Sequence, residues 1–335
     1  MRRLAAASLL LSLLAASAVL SAADAAKAIP LRPVHTFSIV ARDASTGELG
    51  VAVQSHAFSV GSGVSWAEAG VGAVATQSFI DPAYGPLGLD LMRAGRSAPE
   101  ALKGLIAADD GRDVRQVAMI DAQGRVAAHT GVKCIPSAGQ HVGENYSVQA
   151  NLMDNDTIWP AMAKAFESAK GDLAERMLQA LEAAQAAGGD IRGMQSAAIL
   201  VVKGASSGRP YVGQDEIFDL RVEDHPQPLV ELRRLVNFQR ANNLANDGDR
   251  YLEKKDAEAA MRAYAAAEAL LPDFAEMAFW HGVALASSGK VDDSLPVFAK
   301  AYRLYPKFRE LVPRLAKVGL LPDDPRVIAR IVAAK

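Results

Sequence analysis

The stretch HTFSIVARDASTGELGVAVQSHAF, residues 35–58, decides the fold. It holds two runs rich in β-branched and small apolar residues, TFSIVARD (36–43) and ELGVAVQSHAF (48–58), separated by Ser45-Thr46-Gly47. Such runs favour extended backbone, and a short glycine-containing turn joins them as an antiparallel hairpin. Side chains alternate along a strand, so Thr36 and Ser38 share one face.

Downstream, AGVGAVATQS (69–78) reads as a third strand whose Gly and Ala demand a closely packed partner. Helical spacing follows over 87–95 and 98–109, then a second hairpin over 114–131 that turns at Ala122-Gln123-Gly124. A strand over 146–153, helices near 157–168 and 172–187, and strands over 196–202 and 217–224 complete the pattern. Strands paired by hairpins and interrupted by helix pairs indicate an α+β layered domain, not a doubly wound parallel sheet. No glycine-rich phosphate loop follows a strand, which argues against nucleotide binding.

The chain has 335 residues, enough for about two domains. Its 36 basic and 38 acidic side chains nearly cancel, which argues against a nucleic-acid partner. The single cysteine, Cys134, excludes a disulfide framework, and the six histidines lack metal-ligand spacing, so neither a metal nor a cofactor is expected. Residues 1–25 combine Arg2 and Arg3 with an apolar run and Ala23-Asp24-Ala25, the pattern of a cleaved signal peptide. A periplasmic or secreted protein is the expectation, by either the general or the twin-arginine route. Residues 26–35, AKAIPLRPVH, read as a linker or short propeptide.

The last hundred residues repeat with a step of 34: Gly248 and Gly282, Ala267 and Ala301, Pro272 and Pro306, Tyr264 and Phe298. This resembles the tetratricopeptide pattern of paired antiparallel helices, with a capping pair over 308–318 and 323–334. The sequence therefore divides into an α+β domain over 36–240 and an all-α TPR-like region over 241–335. The helical part either docks a protein partner or serves as a stabilising cap.

The quoted stretch, together with YGPLGLDLM (84–92), DDGRDVRQVAMID (109–121), TGVKC (130–134), QAN (149–151) and GGDIRGMQSAAILVV (188–202), closely resembles the bacterial DUF1028 family over roughly 35–240. That resemblance implies the N-terminal nucleophile (Ntn) hydrolase superfamily and its αββα four-layer sandwich. It also makes a homodimer the expected assembly, since such domains often associate through sheets and outer helices. Ala150 stands where the family usually has Gly, which predicts a narrowed pocket.

Ntn enzymes use the first residue of the mature chain as nucleophile. A free α-amine has a pKa of about 7.7–8 and can serve as the base for its own hydroxyl. Thr36 occupies that position, provided the His35–Thr36 bond is cut; otherwise it merely opens a strand. Asn151 is the candidate oxyanion donor, or else it satisfies backbone groups. Ser38 either lines the same pocket or is a core hydroxyl. Asp190 and Arg192, in a glycine-rich turn with Gln195 and Ser196, either bind a substrate's charged groups or fix their own turn. Asp81 and Tyr84, in the loop after the third strand, are expected to border the pocket. Two functions follow: an amide hydrolase or peptidase acting on a small amide or peptide, or a non-catalytic binding or scaffold protein.

Overall fold

The computed structural model describes residues 36–208 and 214–335; the readings made for 1–25 and 26–35 lie outside them. The hairpin forms as its sequence dictates, with β1 (Thr36–Arg42) antiparallel to β2 (Leu49–Ser55) in the register Thr36↔Ser55. Its turn is fixed by Asp43, whose carboxylate accepts from the Ser45 and Thr46 amides, while Gly47 takes φ +77°.

Strands β3 (Ser65–Glu68), β4 (Gly72–Ser78), β5 (Arg115–Asp121) and β6 (Val126–Thr130) form one antiparallel sheet in chain order. The hairpin joins β7 (Gly139–Gly143), β8 (Tyr146–Ala150), β9 (Ser196–Val202) and β10 (Glu216–Val222) in a six-stranded antiparallel sheet ordered β10-β9-β2-β1-β8-β7. Two strands escape the sequence pattern: β3 is four residues long, and β7, GQHVG, has glycine at both ends. The strand expected over 146–153 stops at Ala150 because Leu152 turns to φ +55°.

A one-turn helix, α1 (Gly61–Val64), leads into β3. Helices α2 (Tyr84–Arg93) and α3 (Ala98–Ala108) cover the outer face of the four-stranded sheet. A Cβ on Gly85 would lie 2.3 Å from the Trp66 ring, so only glycine lets α2 approach this closely. Ser97 caps α3 reciprocally with Glu100, satisfying amides that a helix start leaves open. Helices α4 (Ile158–Ser168) and α5 (Leu173–Ala186) pack Met162, Met177, Leu178 and Leu181 against Phe37, Ile39, Val148 and Ile199 of the six-stranded sheet. The layers are therefore α, β, β and α.

The next helix, α6 (Pro228–Glu253), is continuous for 26 residues and runs through residue 240. Its first half buries Leu229, Leu232 and Val236 in the sheet domain's core. Arg233 pairs with Glu175 and Glu182, and Arg240 with Asp172 and Glu175, which ties α6 to α5. Its second half begins an all-helical region of α7 (Ala257–Leu270), α8 (Ala275–Ser287), α9 (Val291–Leu304), α10 (Val312–Lys317) and α11 (Pro325–Val332). The 34-residue step has a physical counterpart here. A Cβ on Gly248 would meet the Tyr264 ring at 2.7 Å, and one on Gly282 would meet the Phe298 ring at 3.1 Å. Each glycine admits the ring of the following helix. Among the described residues no helix is long and apolar enough to cross a membrane.

Candidate functional site

The space between the two sheets changes character along its length. At one end Val40, Val51, Val53, Ala75, Ala118 and Ile120 interdigitate as a dry core. At the other end the same alternation brings in Thr36 and Ser38 from β1, Gln77 from β4, Gln116 from β5, Gln149 from β8 and Asn151 just beyond it, all fully buried. Burying an amide without partners would be costly, so these groups satisfy one another.

They do so in one direction. Ser147 donates to Gln149 Oε1 at 3.0 Å, Gln149 Nε2 to Ser38 Oγ at 2.6 Å, and Ser38 to Gln77 Oε1 at 2.6 Å. Gln77 Nε2 donates to Gln116 Oε1 at 2.6 Å, Gln116 Nε2 to Thr130 Oγ1 at 2.9 Å, and Thr130 to Gln140 Oε1 at 2.8 Å. Each donor is polarised by the bond before it, so the chain is stiffer than isolated pairs. It crosses between the sheets, and none of its members is ionisable.

Thr36 sits against this chain at the start of β1. Its carbonyl accepts from the Asn151 amide at 3.1 Å, from Gln77 Nε2 at 3.1 Å and from Asn151 Nδ2 at 3.4 Å. Asn151 Nδ2 also donates to Gln116 Oε1 at 2.9 Å. The structure thus unites Thr36, Ser38 and Asn151. The side-chain amide of Asn151 holds backbone and network groups, the second of the two roles its sequence position suggested.

The glycine-rich turn closes the same sheet end. Asp190 is buried and accepts from the His56 amide, the Arg192 amide and the Arg192 guanidinium at 2.7–3.2 Å. This is the turn-fixing arrangement, with the carboxylate held by its own loop and by the loop after β2. The Gln195 amide donates to the Ser55 carbonyl and its side chain to Asp224, while Ser196 Oγ bridges the Ala57 carbonyl and the Val60 amide. Gln195 and Ser196 thereby anchor the loop after β2.

Asp81 and Tyr84 lie elsewhere. The loop that carries Asp81 and leads into α2 at Tyr84 runs over the outer side of the four-stranded sheet, where the outward-facing Thr76 hydroxyl donates to the Asp81 carbonyl. Tyr84 donates to Asp109 at 2.9 Å, and burial together with that bond pushes its phenol well above the usual range. The two line a separate depression of about 330 Å³ with Leu87 and Leu105, so they do not border the space around Thr36. The narrowing predicted for Ala150 is also corrected. The Ala150 methyl faces α4 and α5, because alternation turns it away from its neighbours Gln149 and Asn151.

The glutamines escape sequence reasoning. Their one signal is a Gln at a strand position whose alternating neighbours are apolar and buried, as in GAVATQS and RQVAMID. Beside the network's Thr130–Gln140 end opens a cleft of about 520 Å³, bordered also by Cys134, Ser137 and Asp156. Burial pushes the Cys134 thiol up, which suits a structural rather than a reactive cysteine.

Two face-to-face antiparallel sheets between helix layers define an αββα four-layer sandwich. Residues 36–232 match the model of DUF1028, a family of unknown function, and the chain belongs to that family. A crystal structure of a protein from Silicibacter pomeroyi bearing the same family model is 29% identical, with a TM-score of 0.54, over 60% of this chain and 84% of that one. Anbu, an ancestral β-subunit from Yersinia bercovieri, is 14% identical with a TM-score of 0.30, over 59% of this chain and 92% of that one. No curated protein matches the chain. The family match ends within α6, so most of the helical region lies beyond it.

Proposed function

We propose that this protein is an exported Ntn-type amide hydrolase in which Thr36, freed by cleavage of the His35–Thr36 bond, is the nucleophile for a small amide or peptide. The observation that carries the reading is the placement of Thr36. It opens β1 at the polar end of the inter-sheet space, its carbonyl held by three donors, beside a network without an ionisable side chain. With no acid or base among the network's members, a liberated α-amine is the base on the same residue as the Thr36 hydroxyl.

In the forward step the neutral amine accepts the Thr36 Oγ proton, directly or through one water, as Oγ attacks the substrate carbonyl. Collapse of the tetrahedral intermediate returns that proton to the leaving amine and leaves an ester on Oγ. Water, deprotonated by the same amine, hydrolyses the ester and restores the hydroxyl. The signal-peptide pattern of residues 1–25 supports export, and the helical region beyond the family match supports a role in docking a protein partner.

A non-catalytic binding role is the second reading, favoured by the saturation of the network's own hydrogen bonds. p-Nitrophenyl acetate separates the two. A hydrolase releases a stoichiometric burst of nitrophenolate followed by turnover and carries a hydroxylamine-labile acetyl ester on Thr36, detected by peptide mass. Absence of a burst in protein whose mature chain begins at Thr36 favours the binding reading.

A further inference from the structure

We propose that Gln77 is the positioning residue of the Thr36 nucleophile, fastening the chain terminus across the sandwich from the opposite sheet. This rests on the assignment of Thr36 as the mature N-terminus.

A terminal residue frays unless something holds it, and a nucleophile must be held closely to react efficiently. Once the bond before Thr36 is cut, that residue loses its covalent tether on one side. The contacts that hold it then include its pairing with Ser55 and the three donors on its carbonyl. Two of those donors belong to Asn151, which lies just beyond the adjacent strand of the same sheet. Gln77 comes from β4, so its bond fixes the terminus in the direction perpendicular to the sheet.

The Gln77 amide is itself locked. Its Oε1 accepts from Ser38 and its Nε2 donates to Gln116 Oε1, both at 2.6 Å. Turning it over would set Oε1 against two acceptors, Gln116 Oε1 and the Thr36 carbonyl. Gln116 cannot turn to compensate, because its Nε2 donates to the backbone carbonyls of Ala150 at 2.9 Å and Gly139 at 3.2 Å. The direction of the chain is thus set by backbone, relayed through Gln116, and delivered to Thr36 by Gln77.

The test uses the full-length mature protein, with the first residue established by mass, and p-nitrophenyl acetate as the acylating probe. In Gln77→Met, nearly the same shape without a donor, the burst rate constant on Thr36 is expected to fall about tenfold or more, with half-saturation unchanged within twofold. In Gln77→Glu a protonated carboxyl keeps one donated bond where the amide gave two, and an ionised one keeps none. Acylation by Gln77→Glu is therefore expected to decline as pH rises through the carboxyl's titration, a falling limb absent from the unsubstituted protein. Gln77→Glu carries the test alone if Gln77→Met fails to fold. A burst within twofold of normal in Gln77→Met, or a Gln77→Glu profile parallel to the unsubstituted one, overturns the positioning role while leaving Thr36 as nucleophile. A mature chain beginning upstream of Thr36 overturns both, and the mass identifies that outcome separately.

Discussion

The two halves of the inter-sheet space are built from the same strands and do different work. In the apolar half Val51, Val53, Ala118 and Ile120 remove hydrocarbon from water, which drives the sheets together without dictating their detailed register. In the polar half Ser38, Gln77, Gln116 and Gln149 gain little net stability from hydrogen bonds exchanged with water, yet each bond demands one geometry. One half supplies adhesion and the other supplies orientation. Substitutions in the two should therefore separate stability from reactivity.

The largest effect belongs to Thr36→Ala. Formation of a hydroxylamine-labile acetyl ester from p-nitrophenyl acetate at that position should vanish, a loss of about a thousandfold or more, while the melting temperature stays close to normal. A persistent burst would place the nucleophile elsewhere and dissolve the functional contrast between the halves. Next comes Ile120→Ala in the apolar half, expected to destabilise by about 2–5 kcal/mol in denaturant unfolding. The folded fraction should still acylate at a normal rate; a large loss of rate would show that the halves are mechanically coupled.

Gln116→Leu probes the polar half. It removes the acceptor for Gln77 and Asn151 and the donor to two backbone carbonyls, and should destabilise by about 1–3 kcal/mol. Its signature is the reverse of the Ile120 change: a smaller loss of stability with a larger loss of acylation. Equal losses of both would contradict the division.

The smallest predicted effect sharpens the comparison from outside the sandwich. In the helical region the hydrogen bond from His281, with Lys300 beside it, holds the Glu268 carboxyl down to about 2 from its ordinary 4.5. A folded-state value below the unfolded one means the contribution is complete above about pH 4.5 and is lost as pH falls toward 2. Melting of the helical region should soften over that window, and Glu268→Gln should remove the dependence. The glutamine network, having no ionisable member, should add none.

Much of the fold was legible because period-two alternation is a local property. The hairpin of 36–58 and the strands over 115–130 and 196–202 announce themselves in a few residues each. Ser65–Glu68 is too short to display a period, and GQHVG offers little side chain to alternate. The site was legible only in part. Thr36, Ser38 and Asn151 could be singled out, whereas Gln77 and Gln149 looked like any polar strand residue until register placed them face to face. Asp190 and Arg192 could be recognised as partners two residues apart, but the direction in which the pair points depends on Gly188, Gly189 and Gly193, all at positive φ. Asp81 and Tyr84 were near in sequence to Gln77 and fell on the opposite face of the sheet.

The central claim is that the reacting amine and hydroxyl both belong to Thr36, and the mass of the mature protein's N-terminal peptide, taken before and after p-nitrophenyl acetate, addresses it most directly. The account predicts a chain that starts at Thr36 and gains there one acetyl group that hydroxylamine removes, faster as pH rises toward and through about 7.7–8, where the amine becomes neutral. A chain that starts at Ala26, or anywhere else before Thr36, and still acylates at full rate would contradict it.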